Sequence, residues 1–143
     1  MERFVVGFAF NKGKSLVLLV RKNHPPWQDG LLNGIGGKIE DFETAIEAMH
    51  RECKEETGLV LEWEGRGVMK GKNNDGALFE CWIFYAYSKE VYNFKQLENE
   101  PLTLYIASRV HREKTLSNVR FLVPFGQYNK GRDNEVLFMT LEY

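Results

Sequence analysis

Residues 37–59 read GKIEDFETAIEAMHRECKEETGL, and we take this stretch as the part of the chain around which the fold is organised. A helix start is indicated by Thr44, whose hydroxyl suits an N-cap, and by Glu47 three residues later, which completes a capping box. Gly58 stands where such a helix would end in a left-handed residue. These signals predict a helix over residues 45–57.

At about 100° per residue, this helix has a mostly apolar side that we expect to face a core. The members of that side are Ile46, Met49, His50, Cys53 and Thr57. The opposite arc carries three carboxylates and two small residues that leave room for a ligand, namely Glu52, Glu55, Glu56, Ala45 and Ala48. Residues three and four apart on a helix have Cβ atoms about 5–6 Å from each other, so the three carboxylates are predicted to crowd together.

Crowded carboxylates repel one another by about 0.2–0.5 kcal/mol per exposed pair, and Arg51 neutralises part of their charge. A hard divalent cation such as Mg²⁺ takes oxygen ligands, and proteins usually hold it with one or two carboxylates plus substrate phosphates. A cluster of glutamates is also typical of an ordinary solvated helix face. Composition alone therefore leaves both interpretations open, and the spacing of the residues decides between them.

That spacing resembles the Nudix box of MutT-type hydrolases. Gly37 is followed by five residues, Glu43, seven residues and then RECKEETGL at 51–59. The Nudix pattern is a glycine, five residues, Glu, seven residues and Arg-Glu-aliphatic-any-Glu-Glu-any-Gly-aliphatic, and every fixed polar and glycine position is filled. Cys53 replaces the usual aliphatic residue, a departure that concerns packing, because a free cysteine behaves as a small buried hydrophobe.

The resemblance implies an α/β protein, with the Nudix α/β/α sandwich around a mixed β-sheet. It implies hydrolysis of a nucleoside diphosphate linked to another group, with Mg²⁺ or Mn²⁺ as cofactor. The metal ligands that it implies are Glu52, Glu55, Glu56 and the backbone carbonyl of Gly37. Glu43 and Arg51 would pair to hold the motif loop against the helix, and Glu52 is our first choice for the residue that takes the proton from water.

Composition limits the other possibilities. The length of 143 residues fits one domain over residues 1–143. A net charge of −1 and a pI near 6.3 provide no basic field for DNA or RNA, so we expect a small-molecule nucleotide and no nucleic-acid polymer as partner. Cys53 and Cys81 form no CxxC pair and fit buried thiols in a reducing compartment. No stretch predicts a signal peptide or membrane span, so we expect a cytoplasmic protein whose oligomeric state is left open.

The remainder of the chain predicts strands and one further helix. Runs of β-branched, aromatic and alternating apolar residues predict strands over residues 4–10, 15–21, 60–63, 67–70, 77–87, 102–106 and 135–141. The turn sequence at 11–14 predicts that the first two strands pair as a hairpin. Ser117 is a candidate cap for a helix over 118–125. The Nudix resemblance implies a short strand at 31–35 that leads into the motif loop.

Several residues outside the motif helix are candidates for contacts with phosphate or base. Arg21 and Lys22 end a predicted strand, where they are either phosphate contacts or solvated charges. Lys38 follows the motif glycines and is a candidate phosphate contact. Trp27 lies in a loop rich in proline, where it either packs locally or stacks on a base.

Two asparagines are candidates for reading a base. Asn33 either bonds its own turn or pairs with a purine edge, since an amide offers both a donor and an acceptor. The stretch at 33–38 resembles the segment of animal Nudix enzymes that act on oxidised purine nucleotides, in which an Asn contacts the base. Those enzymes have adjacent acids near the last helix, whereas residues 116–119 read LSNV here, so Asn118 is the candidate substitute.

The favoured substrate is therefore a purine nucleoside triphosphate, with an oxidised one such as 8-oxo-dGTP among the candidates, cleaved to the monophosphate and pyrophosphate. The alternatives are ADP-ribose, a dinucleoside polyphosphate, and a nucleotide-sensing module without catalysis. Further metal contacts are open to Glu80, a lone acid in an apolar strand, and to Glu98 or Glu100. MutT-type enzymes often take such a contact from a Glu just before the strand at 102–106, and we select Glu100 as the candidate, with a plain charged loop as the alternative.

Overall fold

The structure is a computed structural model that describes residues 1–128 and 137–142. Within these residues eight strands form one sheet: β1 (Glu2–Phe10), β2 (Leu16–Arg21), β3 (Leu32–Asn33), β4 (Ile35–Lys38), β5 (Glu64–Lys72), β6 (Leu78–Tyr87), β7 (Leu102–Ile106) and β8 (Leu137–Glu142). The two α-helices are α1 (Ala45–Thr57) and α2 (Val119–Tyr128). Short 3-10 helices lie at Pro26–Gln28, Lys89–Asn93 and Ala107–Arg112.

The sheet is mixed, as predicted. Its order runs β3-β2-β1-β6-β5-β8, with β4 beside β1 and β7 beside β2. β1 is parallel to β6 and β5 is parallel to β8, while the other pairs are antiparallel. The predicted hairpin of β1 and β2 is present, and the apolar strand β6 lies deep in the sheet between β1 and β5.

The β1–β2 hairpin splays apart, and this opening receives the motif loop. The two strands pair next to their turn, beyond which β4 pairs with β1 and β3 pairs with β2. Glycines make the insertion possible. A Cβ on Gly34 would lie 2.6 Å from the carbonyl oxygen of Gly7. A Cβ on Gly36 would meet the backbone of Val5, so a larger residue at either position would push the inserted segment out.

Each face of the sheet is covered by one α-helix over its own apolar core. Met49 of α1 packs in one core and Leu122 of α2 packs in the other. Successive residues of a strand point to opposite faces, so β1 sends Val5 to the core beneath α1 and Val6 to the core beneath α2. This layering confirms the predicted α/β/α sandwich.

Helix α1 begins and ends at the predicted residues. The side chain of Thr44 accepts a hydrogen bond from the backbone N–H of Glu47 at 3.2 Å, and the Glu47 carboxylate accepts one from the Thr44 N–H at 3.0 Å. Gly58 adopts φ 74°, a left-handed conformation in which a Cβ would be strained. The capping box and the terminal glycine therefore define the helix locally.

The predicted strand at 60–63 is wrong. No strand forms there, and Leu61 and Trp63 are instead buried as a loop in the core beneath α1. Their apolar character reflects packing against the helix, which alternation along the sequence cannot distinguish from strand pairing. β5 begins at Glu64 and includes the predicted strand at 67–70.

The last two predicted elements are present with shifted bounds. α2 covers 119–128 in place of 118–125. β8 corresponds to the strand predicted at 135–141, of which residues 135 and 136 lie outside the described residues. No helix in residues 1–128 or 137–142 has the length and hydropathy of a transmembrane span.

Close packing of α2 on the sheet can be tested at Gly126. A Cβ on Gly126 would lie 2.6 Å from Cδ1 of Tyr85, whose buried ring packs against Phe8 and Phe10 and has no room to move. Gly126→Ala should lower the free energy of unfolding by about 1–3 kcal/mol, the usual cost of overpacking a core. Urea denaturation measures the change. Gly13→Ala is the control, because a Cβ on Gly13 meets open space; equal stabilities for the two variants would contradict the close contact.

Candidate active site

Helix α1 buries three of the five residues of its predicted apolar side, namely Met49, Cys53 and Thr57. Ile46 is 37% exposed and His50 is exposed, so the predicted buried stripe is wrong at both positions. Ala48, predicted to lie in the open acidic arc, is fully buried, and Glu56 is buried as well. The acidic side of α1 faces inward because β4, which α1 covers, is rich in glycine and leaves space for carboxylates against its backbone.

Arg51 ties the motif loop to α1. Its Nε and Nη2 donate to the two oxygens of Glu43 at 2.6 and 2.9 Å, and Nη2 also donates to the Lys38 carbonyl at 3.0 Å. Its Nη1 donates to Glu52 at 2.9 Å and to Glu55 at 3.3 Å. The hydrogen bonds from Arg51 hold the pKa of Glu43 below its usual value. The predicted pairing of Glu43 with Arg51 is therefore present, as a two-pronged contact that suits a guanidinium.

Two carboxylates of α1 lie against the glycines of β4. Glu56 is 7% exposed, and its Oε2 accepts a hydrogen bond from the backbone N–H of Gly36 at 3.1 Å. Glu52 covers Gly37 so closely that a Cβ on this glycine would lie 2.6 Å from the Glu52 Cδ. Gly36 thus supplies a donor, and Gly37 supplies the space that a carboxylate occupies.

Burial raises the pKa of both carboxyls. The pKa of Glu56 rises to about 8, first because of burial and then because of the negative charge of Glu52, while the charge of Lys22 acts to lower it. Burial also raises the pKa of Glu52, against the opposing effect of its hydrogen bond from Arg51. The charge of Glu98 adds to both shifts. Three acids therefore face one region in which a cation would be stabilised.

These acids line a cavity of about 680 Å³. Its acidic lining consists of Glu52 and Glu56 from α1, Glu98 and Glu100 from the loop before β7, Glu2 from β1 and Asp75 from the turn between β5 and β6. Its apolar lining includes Phe4, Val6, Met69, Phe79, Cys81 and Leu116. Most of these apolar residues belong to the core beneath α2. The volume lies within the range of about 300–1,000 Å³ that is typical of small-molecule sites.

Four of the five predicted substrate contacts line this cavity, namely Trp27, Asn33, Lys38 and Asn118. The Oδ1 of Asn33 accepts a hydrogen bond from the N–H of Gly34 at 2.8 Å, which is the predicted local turn contact. Asn118 is 2% exposed at the start of α2. The side chain of Lys38 is largely exposed and lies 3.7 Å from Glu2.

Arg21 is the exception, and its predicted phosphate contact is corrected. Its guanidinium donates to the carbonyl of Gly30 at 2.9 Å and to the hydroxyl of Tyr105 at 3.3 Å, so it supports the loop that precedes β3. The neighbouring Lys22 lines the cavity instead. Arg21 is the last residue of β2, and its guanidinium is hydrogen-bonded to the loop and to β7. The positive charge beside the acids therefore comes from the next residue, Lys22.

The other predicted acids occupy three different environments. Glu98 lines the cavity and acts on the motif carboxylates. Glu100 lines the cavity too, but it accepts hydrogen bonds from Lys22 Nζ at 2.9 Å and from the N–H of Asn23 at 2.6 Å. Burial alone would raise the pKa of Glu100, and these bonds lower it below its usual value. Glu80 lies outside the cavity lining, opposite Lys70 in the β5–β6 ladder.

His24 and the turn residues 73–75 are among the contributors to the cavity that sequence analysis missed. This turn joins β5 to β6 and has the composition of any polar hairpin, so no sequence signal distinguishes it. It reaches the cavity because β6 lies parallel to β1 in the sheet, with Glu2 opposite Phe79. Its position therefore follows from a pairing between segments far apart in the chain.

The donor set fits a hard divalent cation. Among residues 1–128 and 137–142, no three His, Cys, Asp or Glu side chains converge to enclose an ion. Mg²⁺ does not need such a cage, because one or two carboxylates together with substrate phosphates usually hold it. Glu52, which is half-buried against Gly37, and Glu56, which is buried against Gly36, supply two mutually repelling carboxylates, which is the chemistry required. Glu55 is 54% exposed at its side chain and pairs with Arg51 outside the cavity lining.

A family model described as the NUDIX domain matches residues 2–136. The fold is similar to a MutT protein from Bacillus halodurans, with 19% identity, coverage of 100% of this chain and 90% of that chain, and a TM-score of 0.77. It is also similar to a MutT protein from Methanosarcina mazei Go1, with 22% identity, coverage of 90% and 95%, and a TM-score of 0.71. A third similar structure is the NUDIX domain of Shewanella oneidensis NrtR complexed with ADP ribose, with 18% identity, coverage of 85% and 83%, and a TM-score of 0.72. No curated protein matches the chain.

Because the family model spans most of the sequence, the chain belongs to the Nudix family. The prediction of a Nudix pyrophosphohydrolase for nucleotide substrates, made from residues 37–59, is confirmed at this level. Members of this family generally use a divalent metal. The similar structures are under 25% identical, so they establish the fold alone.

The two-pronged contact of Arg51 predicts that lysine cannot replace it. Arg51→Lys keeps the positive charge but loses the paired bonds to Glu43 and the bond to the Lys38 carbonyl, so the free energy of unfolding should fall by about 2 kcal/mol and activity should fall with it. Thermal unfolding and turnover measure the two effects. Lys54→Ala, an exposed change on the same helix, should stay within about 0.5 kcal/mol of the parent. A higher KM with unchanged melting temperature in Arg51→Lys would identify Arg51 as a substrate ligand instead.

Proposed function

We propose that this Nudix enzyme hydrolyses a purine nucleoside triphosphate, with oxidised purines such as 8-oxo-dGTP among the candidates, to the nucleoside monophosphate and pyrophosphate. The observation that carries the proposal is that one cavity is lined both by the motif carboxylates and by two side-chain amides, Asn33 and Asn118. A triphosphate can meet the acids through bound cations while its base meets the amides. The reaction is proposed to take place in the cytoplasm, on a small-molecule nucleotide.

The base would occupy the apolar part of the cavity. Phe4, Met69 and Phe79 offer hydrophobic surface there, and Trp27 lines the same cavity with an aromatic face. An amide pairs with a purine edge through one donor and one acceptor, and an amide left unpaired on binding a wrong base would cost about 1–3 kcal/mol. This arrangement supports selection of the base by hydrogen bonding as well as by shape.

We assign Mg²⁺, with Mn²⁺ as an alternative, to Glu52, Glu56 and the carbonyl of Gly37. These groups would hold the cation, which would supply neutralisation of negative charge on the phosphates and a lower pKa for a water molecule. Glu55 is kept as a further ligand from the motif, which requires its exposed side chain to turn from Arg51 towards the cavity. Glu98 is the additional acid that best suits this site, since its charge acts on both buried carboxylates.

Proton transfer is assigned to Glu52. Burial raises its pKa, so it is a stronger base than an exposed carboxylate. Its Oε1 accepts a hydrogen bond from Arg51, which fixes the side chain and leaves Oε2 as the atom that takes the proton from water. Arg51 and Glu43 would keep this carboxylate aligned through the bonds described above. Lys38, at the end of β4, is assigned to the phosphates.

The metal assignment is tested by Glu56→Gln. Glutamine keeps an acceptor for the Gly36 N–H but cannot carry the charge that a cation needs, so kcat with Mg²⁺ should fall by at least ~10². In EDTA the melting temperature should hold or rise, because a neutral amide is cheaper to bury than a carboxylate. Added Mg²⁺ should stabilise the parent and leave Glu56→Gln unchanged. Glu62→Gln, at an exposed position, is the control; near-normal turnover in Glu56→Gln would remove Glu56 from the metal site.

The substrate proposal is tested by comparing kcat/KM for 8-oxo-dGTP, dGTP, dCTP, ADP-ribose and diadenosine tetraphosphate. Purine triphosphates should be preferred, and Asn33→Ala should reduce their kcat/KM by roughly 10–100-fold while affecting dCTP by less than about threefold. Asn93→Ala, an exposed change away from the cavity, should affect none of them. A preference for ADP-ribose or the dinucleotide would contradict the triphosphate proposal, and binding of nucleotides without turnover would identify a sensing module.

A further inference from the structure

Glu100 is a buried carboxylate with both oxygens engaged inside the protein. It is 8% exposed, and its Oε1 accepts a hydrogen bond from Lys22 Nζ at 2.9 Å. Its Oε2 accepts one from the backbone N–H of Asn23 at 2.6 Å, and Nδ1 of His24 lies 3.3 Å from the same oxygen. Three successive residues after β2 therefore converge on this one carboxylate.

Lys22 is the residue that these contacts place at the cavity. Its side chain is 14% exposed, it lines the cavity, and its positive charge acts on Glu56. Glu100 is the ion-pair partner of this ammonium group, and the pair places it close to the acids of the cavity. An ammonium group is a compact point charge that suits a phosphate oxygen.

Glu100 also lies in a loop that is fixed on both sides of Glu98. At one end, the carbonyl of Pro101 accepts a hydrogen bond from the N–H of Arg21 at 2.9 Å. At the other end, the N–H of Lys95 donates to the carbonyl of Thr57, the last residue of α1, at 2.9 Å. The loop thus connects β2 to the end of the motif helix, and the contacts of Glu100 reinforce the β2 side.

We propose that Glu100 is a positioning residue and not a metal ligand. It holds the Lys22 ammonium beside Glu56, where the ammonium contacts a phosphate of the substrate. To bind a metal, Glu100 would have to release both the Lys22 ammonium and the N–H of Asn23, so the two contacts that now engage its oxygens would be lost. The role assigned to Lys22 rests on the proposed phosphate-bearing substrate.

A positioning role and a metal-ligand role for Glu100 predict different effects of the substitution Glu100→Gln. Glu100→Gln retains an oxygen that can accept from Asn23 or Lys22, so a positioning role should be largely preserved. Glu100→Ala removes every contact. We therefore expect the KM for the preferred nucleotide to rise about tenfold in Glu100→Ala and by less than about threefold in Glu100→Gln, with kcat changed little in either variant. Lys22→Met should raise KM as much as Glu100→Ala does, and the double variant Lys22→Met/Glu100→Ala should be no worse than Lys22→Met.

A metal ligand would give the opposite pattern. Loss of the charge in Glu100→Gln would then abolish the thermal stabilisation by Mg²⁺ measured without nucleotide, and this result overturns the proposal. Additive effects in the double variant also overturn it, because Glu100 would then act independently of Lys22. Glu62→Gln and Lys12→Met, both at exposed positions, are the matched charge controls. If Glu100→Ala does not fold, Lys22→Met and Lys22→Met/Glu100→Gln carry the same comparison.

Binding of inorganic tripolyphosphate in the presence of Mg²⁺ separates this inference from the proposed function. Calorimetry should show about tenfold weaker binding to Lys22→Met and to Glu100→Ala than to the parent, whichever nucleotide the enzyme prefers. If the parent hydrolyses no purine triphosphate but binds tripolyphosphate more tightly than the two variants, the proposed substrate is wrong. The positioning of Lys22 by Glu100 is then still supported. Equal tripolyphosphate binding by the parent and Lys22→Met overturns the proposed phosphate contact of Lys22, even if the proposed substrate is correct.

Discussion

The site depends on the packing of two carboxylates against a strand of glycines. Glu52 lies where a Cβ on Gly37 would otherwise stand, and Glu56 accepts a hydrogen bond from the N–H of the neighbouring Gly36. Such burial is unfavourable for charge, and the raised pKa of Glu56 expresses that cost. Arg51 offsets part of it from the outer side, since its guanidinium bonds Glu52 while holding Glu43 of the loop. The negative charge that Arg51 leaves uncompensated would favour the binding of a cation.

The splayed hairpin explains why this acidic site adjoins an apolar pocket. β1 and β2 separate, β3 and β4 fill the gap, and the cavity is lined by the residues around that insertion. The acids reach it from α1 and the loop before β7, whereas much of its apolar lining belongs to the opposite core, beneath α2. The carboxylates of the cavity and much of its apolar lining thus come from different layers of the sandwich. This separation allows the lining on the α2 side to vary without disturbing the carboxylates.

Two neighbouring basic residues at the end of β2, Arg21 and Lys22, contact different parts of the structure. Arg21 supports the loop before β3 through Gly30 and Tyr105, while Lys22 turns to Glu100 and lines the cavity. Both are cations at a strand end, and their sequence context is the same. The difference arises from the partners that the tertiary structure places beside each of them, a carbonyl and a hydroxyl for Arg21 and a buried carboxylate for Lys22.

The sequence by itself determined α1, with its capping box and terminal glycine, because these signals act within a few residues. It also determined the family, the hairpin, the apolar strand β6 and the pairing of Arg51 with Glu43, since fixed spacing and strong periodicity specify them. Only the tertiary structure decided that Glu56 of α1 is buried while Ile46 and His50 are exposed, because hydrophobic periodicity does not indicate that a strand of glycines can pack against carboxylates. It likewise decided that residues 60–63 pack as a loop and that Glu100 bonds Lys22, 78 positions away. Contacts between distant segments depend on the sheet order, which no local pattern encodes.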